Sequence, residues 1–398
     1  MHFRIRQVLF WLFATFFVVA APVIVLYTAG YRYNPTSGRL QRTGVIAAST
    51  DPRGASLRLN GVLESSRTPL VVQRLMPGEY AISLERKDYH TWSQNITVQS
   101  GRTAYVNATM FADTEPELLL EEQYDSAAVS PDGRTVAMLA TSANVIGEVW
   151  LYDIPSRTER QLAEIALGSW DALAIHWSAH EDAVILTDAD VPVAGWQTED
   201  GTAIEEDLLP YHLNLLPEYY FEDNGTNVEL HDATSSNSRP VALLPFGTYT
   251  VVHRDDEKAL FHDNRGRTYS FTFADNAVTS IEMPIGLLSW SEEQNLFLAS
   301  DKYEVDLVNI STGERTLITR QSTPITAIDW HANGQAIFIA THEAIIALDR
   351  NISTSRVTTT LASDVDVSDI WVDQNGRNLY FLGSRADISG VYRLKLVK

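Results

Sequence analysis

The chain of 398 residues contains no cysteine. That absence excludes disulfides, Cys-ligated zinc, iron–sulfur centres and a thiol nucleophile. Positive charge is also scarce: 30 Lys and Arg stand against 51 Asp and Glu, a formal net charge of −21. A nucleic-acid binder needs a basic face, so this deficit argues against nucleic acid as a partner. The chain has no glycine-rich phosphate loop, no nucleophile elbow and no zinc-protease helix motif, which leaves enzymatic classes built on them without support. No cofactor is expected. With 45% apolar and 20% charged residues, the composition is that of a folded protein, neither disordered nor coiled coil.

Charge is lacking in a second, local sense. From Val8 to Ala29 no charged residue occurs over 22 positions. As a helix at about 1.5 Å per residue, this stretch reaches roughly 33 Å, enough for a hydrocarbon core of about 30 Å. A cleaved signal peptide usually has an apolar core of only about 7–15 residues, so residues 1–30 are expected to be a short tail and an uncleaved transmembrane anchor. Tyr27, Tyr31 and Tyr33 follow at its far end, where amphipathic rings settle among headgroups. Arg4 and Arg6 precede the span and Arg32, Arg39 and Arg42 follow it, so the positive-inside rule does not decide orientation. The shortness of the tail favours a cytoplasmic N-terminus and an extracytoplasmic bulk. Residues 1–112 carry a net +7 and residues 113–398 a net −28, a change of sign that suggests separate domains.

After a polar connector at 31–42, short alternating runs divided by turn residues signal an all-β unit. Leu57 and Leu59 alternate with Ser56 and Arg58, and Tyr80, Ile82 and Leu84 alternate with Ala81 and Ser83. Asn60-Gly61 favours a two-residue hairpin turn, because both central residues of a type I′ turn need positive φ. Asp51-Pro52-Arg53-Gly54-Ala55, Leu59-Asn60-Gly61, Thr68-Pro69, Leu75-Met76-Pro77-Gly78-Glu79-Tyr80 and Asp88-Tyr89-His90-Thr91-Trp92 together resemble the PEGA domain family over residues 43–112. Asp88 stands where that family often has glycine. The resemblance implies a small β-sandwich acting as an extracytoplasmic adhesion or spacer module, with no catalytic residues to carry over. Tyr89 and Trp92 are candidates for stacking on a sugar ring, against the alternative that they anchor the core of so small a sandwich.

The rest of the chain repeats. An apolar run, a turn and a second apolar run recur around Ser130, Ser178, Ser291, His331 and Asp373, at separations of 48, 113, 40 and 42 residues. The long gap holds two weaker copies near Glu218–Phe221 and Val252–Asp255. Seven periods of about 40 residues, with four strands in each, predict a seven-bladed β-propeller over residues 117–398. The last period, from Ile370, has room for only three strands. A spare strand at residues 117–123 is expected to complete it and close the ring, removing an exposed edge. The Ser130-Pro131-Asp132-Gly133 turn and its echoes resemble the repeats of the TolB-like and related WD40-like propellers. That resemblance specifies fold rather than activity. The predicted fold class is thus all-β with one N-terminal transmembrane helix, a PEGA-like β-sandwich and a seven-bladed β-propeller.

Candidate sites are few. His176 and His180 are four apart, but on a strand and turn that spacing separates the rings, so no metal site is expected. Glu222–Asn227 is oxygen-rich but lacks the ligand spacing of a calcium loop. Residues 188–210 form the longest departure from the repeat, and Glu199, Asp200, Glu205, Glu206 and Asp207 within it are the candidate partner contacts. Asn95, Asn107, Asn224, Asn309 and Asn351 begin N-x-S/T triplets. The expected role is binding or scaffolding at the cell envelope rather than catalysis, with membrane and a protein or cell-wall polymer as partners. A propeller hydrolase or lyase and a TolB-like assembly factor are the alternatives.

Overall fold

A computed structural model describes the chain apart from residues 1, 35–37, 122–123, 143–145, 169–171, 179–181, 190, 214–217, 234–238, 285, 292–293 and 351–355. The chain divides into two compact units, residues 1–113 with 351–359, and residues 114–350 with 360–398. It is all-β apart from an N-terminal apolar helix and short helical turns.

The first unit opens with the helix His2–Thr28. Its stretch Gln7–Thr28 is long and apolar enough to cross a membrane, and its side chains bury nothing against the protein. The segment read as a polar connector contains an antiparallel hairpin, Tyr31–Asn34 with Arg39–Arg42. Two sheets follow. One orders Leu70–Leu75, Gly44–Asp51 and Thr103–Thr109; the other orders Val62–Arg67, Ser56–Leu59, Gly78–Glu85 and Trp92–Val98. Strand Gly44–Asp51 has the strict in–out burial that period-2 alternation requires, and Ile46, Leu57, Ile82, Leu84, Val106 and Met110 fill the space between the sheets. Asn60 and Gly61 both take positive φ, 49° and 81°, as their hairpin turn demands.

The second unit is, among the described residues, a succession of seven antiparallel sheets. The first comprises Ser126–Val129, Thr135–Ser142, Ile146–Asp153 and Thr158–Ala166. The second comprises Leu173–Trp177, Ala183–Asp188 and Val191–Gln197. The two weaker repeats supply the leading strands of the third and fourth sheets, Tyr219–Asp223 and Tyr249–Arg254. The fifth, sixth and seventh sheets begin with Leu287–Ser291, Ile325–Trp330 and Val365–Val372. Glu117–Leu120 does not pair with its sequence neighbours; it is the outer strand of the seventh sheet, with Glu117 opposite Arg393 and Leu120 opposite Val391. Of the rest of the predicted closing strand, Glu121 lies beyond the strand's end and residues 122–123 lie outside the described residues. This serial arrangement is consistent with a β-propeller.

Neighbouring sheets are joined by packing and by recurring polar bonds. Leu120, Tyr380 and Val391 of the seventh sheet share one apolar cluster with Val129, Val136 and Met138 of the first. Leu139 and Val149 of the first sheet pack with Val184 and Leu186 of the second. Trp177 donates its indole N–H to the Ala128 carbonyl at 2.9 Å, and Trp330 donates to the Ser289 carbonyl at 3.1 Å. The same residue type thus ties the leading strands of the second and sixth sheets to those of the first and fifth.

The stretch read as one long insertion, residues 188–210, is largely regular structure. Val191–Gln197 is the third strand of the second sheet. After a turn at 198–201, Ala203 bridges back to Trp196, and Gln197 N–H donates to the Thr202 carbonyl at 2.9 Å. A short 3₁₀ turn, Glu206–Leu208, and one helical turn, Leu209–His212, follow. Its first part thus belongs to the repeat as a third strand, and residues 202–204 fold back on that strand without forming a fourth one.

Candidate functional site

The first and second sheets, with Gln374 of the seventh, border an open cleft of about 880 Å³, within the range of roughly 300–1,000 Å³ common for small-molecule sites. Its walls come from turns whose polar groups are held in place. In the Ser130-Pro131-Asp132-Gly133 turn, the Ser130 hydroxyl donates to Asp132 at 2.6 Å and accepts the Thr135 N–H at 2.9 Å. Gly133 has φ +70°, and a Cβ there would lie 2.7 Å from the Asp373 Cβ. Glycine is therefore required both by conformation and by space. In the next turn Asp153 accepts the Ser156 N–H and hydroxyl at 2.7 and 2.6 Å. Those bonds, the hydroxyl first, hold the Asp153 carboxyl below the ordinary carboxylate value.

The opposite wall is Trp177, Ser178, Asp182 and Thr198. Ser178 and His212 are 6% and 3% exposed, and Ser178 Oγ lies 2.9 Å from His212 Nδ1. This bond, with buried Leu209, pins the helical turn Leu209–His212 to the second sheet. A Cβ at Gly195 would meet the Leu209 side chain at 2.8 Å, so the close seat of this turn depends on glycine. Arg160 donates to the Thr198 carbonyl, spanning from the first sheet to the second.

Glu199, Asp200, Glu205, Glu206 and Asp207 are all exposed. Glu199 and Asp200 sit on the turn directly after Thr198, at the rim of the cleft; Glu206 and Asp207 lie on the 3₁₀ turn that follows. Asp200 also has a local duty. The Thr202 hydroxyl and N–H hold its carboxyl below the usual value, the N–H at 2.9 Å.

Tyr89 and Trp92 are not placed for stacking on a sugar. They are 8% and 4% exposed and belong to the core of the first unit. Rings buried to this degree in the core are not available to stack on a ligand. Tyr89 bridges to Ala112, and the Arg86 guanidinium lies 4.7 Å from its ring centre. His176 lies 3.1 Å from Thr187 Oγ1 on the neighbouring strand, while His180 and Glu181 lie outside the described residues. No cluster of metal-ligating side chains occurs among the described residues. In Glu222–Asn227, Asp223 and Asn224 accept the N–H groups of Gly225, Thr226 and Asn227, so the oxygen-rich run is a hairpin turn.

One constellation was not legible in the sequence. Asp329, on the leading strand of the sixth sheet, accepts the Ser289 hydroxyl of the fifth sheet at 2.9 Å, the Trp330 N–H at 2.8 Å and the Val372 N–H of the seventh at 2.9 Å. Burial pushes its carboxyl up to about 6, against those three bonds. Asp369, on the seventh sheet, is exposed. The protein packed near its carboxyl, and then the charge of Asp329, pushes it up to about 7. The two aspartates occupy different repeat positions, so only the pairing of adjacent sheets brings them together. For the cleft, the available signal was the Trp-Ser step at 177–178 beside the Ser-Pro-Asp-Gly turn.

Comparison with known proteins gives two findings. The family model described as the PEGA domain matches residues 43–112, the range of the two-sheet sandwich. A chain of the solved structure titled "Crystal Structure of Mitotic Checkpoint Complex" is similar in fold, with a TM-score of 0.50 and 13% identity over 72% of this chain and 93% of that one. No curated protein sequence matches. At that identity the likeness bears on fold alone.

Proposed function

We propose that this chain is a membrane-anchored, extracytoplasmic binding protein of the cell envelope. In this reading the helix His2–Thr28 spans the membrane with its N-terminus in the cytoplasm. The PEGA-like sandwich is a spacer, and the seven sheets form a closed seven-bladed propeller that recognises a protein or a cell-wall polymer. The observation that carries it is the cleft between the first and second sheets, with the exposed acidic residues Glu199 and Asp200 at its rim. An apolar, unburied 22-residue stretch ahead of a PEGA domain supports the address.

The test uses the full chain in detergent, presented with wall fragments and membrane extracts of the source cells. Retention is expected to fall as salt rises, because the Debye length drops from about 10 Å at 0.1 M to about 3 Å at 1 M. Replacing Glu199, Asp200, Glu205, Glu206 and Asp207 with Ser or Asn should weaken retention several-fold and leave the melting temperature unchanged. Retention indifferent to both salt and substitution would refute electrostatic recognition at this rim.

One observation favours a second reading, a hydrolase or lyase: half-buried Asp329 and exposed Asp369 on adjacent sheets, with both carboxyls raised, a pattern common at acid–base sites. Turnover of wall glycans by the full chain, abolished in Asp369→Asn, would favour it over binding alone.

A further inference from the structure

We infer that the hairpin of Tyr31–Asn34 with Arg39–Arg42 is a lipid-docking element. It lies on the bilayer surface where the helix His2–Thr28 emerges, and it binds anionic phospholipid headgroups. The inference rests on the reading of that helix as a membrane span and adds the class of lipid the chain selects.

The sequence supplies the charge. No Asp or Glu occurs before Asp51, whereas Arg32, Arg39 and Arg42 all fall in the hairpin. Strand pairing sorts the side chains. In an antiparallel pair, directly opposed residues and residues two apart share a face. Tyr31 is opposite Arg42 and Tyr33 is opposite Leu40, so one face carries all four. Tyr33 and Leu40 are 64% and 56% exposed, and Arg39 and Arg42 are exposed. Among the described residues the first ion pair along the chain is Arg58 with Glu85, so neither arginine has an acidic partner. Exposed aromatic and aliphatic groups beside cations match the membrane interface, where apolar acyl chains meet negatively charged headgroups.

The fold holds the hairpin at that depth. The Arg32 guanidinium donates to the Tyr27 and Tyr31 carbonyls, each at 2.8 Å, and lies 3.5 Å from the Tyr27 ring centre. The Thr43 N–H and hydroxyl donate to the Gly30 carbonyl at 2.9 and 3.1 Å. Both ends of the hairpin are thus tied to the end of the helix, where a span roughly 33 Å long reaches the headgroups. The Ser100 hydroxyl donates to the Arg42 carbonyl at 3.1 Å, and the Gly101 N–H donates to the Thr43 carbonyl at 3.3 Å. The hairpin therefore also seats one end of the sandwich.

The experiment uses the lack of cysteine. Full chain carrying a single fluorophore at Leu40→Cys, Phe16→Cys or Lys87→Cys is reconstituted in mixed phosphatidylcholine and phosphatidylglycerol vesicles containing nitroxide lipid. Phe16 lies within the span. Lys87 is exposed, just past the far end of strand Gly78–Glu85, whose near end pairs with Val98 beside the Ser100 turn; that separation is roughly 23 Å at about 3.3 Å per residue. Nitroxide at the headgroup should quench the Leu40 fluorophore, nitroxide deep in the acyl chain should quench the Phe16 one, and neither should quench that at Lys87. Nitroxide on phosphatidylglycerol should quench Leu40 several-fold more effectively than nitroxide on phosphatidylcholine, since one surface arginine contributes about fivefold. Arg39→Gln with Arg42→Gln should erase that preference. Raising salt should reduce it with both arginines present, a readout that does not depend on how the variant folds. The inference is overturned if Leu40 is unquenched while Phe16 is quenched, and the anchor reading then stands. It is overturned equally if the two lipids quench Leu40 alike. Self-quenching between copies without quenching by lipid would assign the apolar face to a second copy and overturn it too. An unquenched Phe16 fluorophore would refute the span, and the inference with it.

Discussion

Single residues show how conformation and burial set the local rules. Asp88 takes φ +64°, a region that Gly favours and Asp tolerates better than most residues. It therefore replaces glycine in the PEGA-like turn without breaking it, and its carbonyl accepts the Asp113 N–H at 3.0 Å. Gly133 has no such latitude. Gly133→Ala should cost about 2 kcal/mol or more, through strain and the clash with Asp373, whereas Gly313→Ala, with φ +71° but open space, should cost only about 1 kcal/mol. Denaturant midpoints of the two variants check the difference, and equal losses would show that the Asp373 contact is unimportant. Asp329 and Asp369 bear on pH. A carboxyl raised on folding binds its proton more tightly in the native state. Stability from these two groups therefore falls as pH rises from about 4, the unfolded value, through about 6 and about 7. His253 and His262, lowered by burial, act oppositely. Their stabilisation is complete above about pH 6.5 and is lost as pH falls below it. Asp329→Asn should consequently gain stability relative to the parent between pH 4.5 and 7.5, by on the order of 2 kcal/mol. A constant offset across that range would contradict the raised carboxyl.

Among elements, the strand Glu117–Leu120 has the largest consequence for its size. It pairs with Ile388–Lys395, far away in sequence. Its Glu117 carboxylate accepts from Arg393 of the seventh sheet at 2.6 Å and from Arg157 of the first at 2.8 Å. Leu120 is buried in the cluster those two sheets share. Losing the burial of one Leu costs about 2–3 kcal/mol, and removing the strand would also open a sheet edge. A chain beginning at residue 113 should therefore melt at least about 5 °C above one beginning at residue 124. Coincident melting curves would show that the strand is dispensable. The helical turn Leu209–His212 is a second case. With only one turn it has no stability of its own, and it persists because Leu209 is buried and His212 meets Ser178.

For the molecule as a whole, the acidity of residues 113–398 has two sources. Asp223, Asp255, Asp263, Asp275, Asp301 and Asp373 each accept backbone N–H groups two to five residues ahead. A fold made of many short hairpins uses Asp as turn-former again and again, so part of the negative charge follows from architecture. The exposed glutamates at 199, 205 and 206 have no such duty among the hydrogen bonds described, which leaves them as the better evidence for a partner. The proposed topology is tested by adding protease to intact cells stripped of their wall. The second unit should be digested from outside. Protection there, with digestion only after lysis, would reverse the orientation.

Local pattern was sufficient for much of this. The uncharged stretch from Val8, the period-2 alternation at 44–51 and 78–85, the Asn60-Gly61 turn and the Ser-Pro-Asp-Gly repeat each depend on neighbours within a few residues, and such interactions are written in order along the chain. What faces what is not. Trp92 reads as ligand platform or as core until the two sheets close on it. Residues 191–197 read as an insertion because their strand pairs only with a hairpin partner that the degenerate repeat disguises. The cleft beside Trp177 and the Asp329–Asp369 pair exist only where adjacent sheets meet. Side chains tens of residues apart converge there, and their exposure and proton affinity are set by the protein packed around them, a property that no stretch of sequence possesses alone.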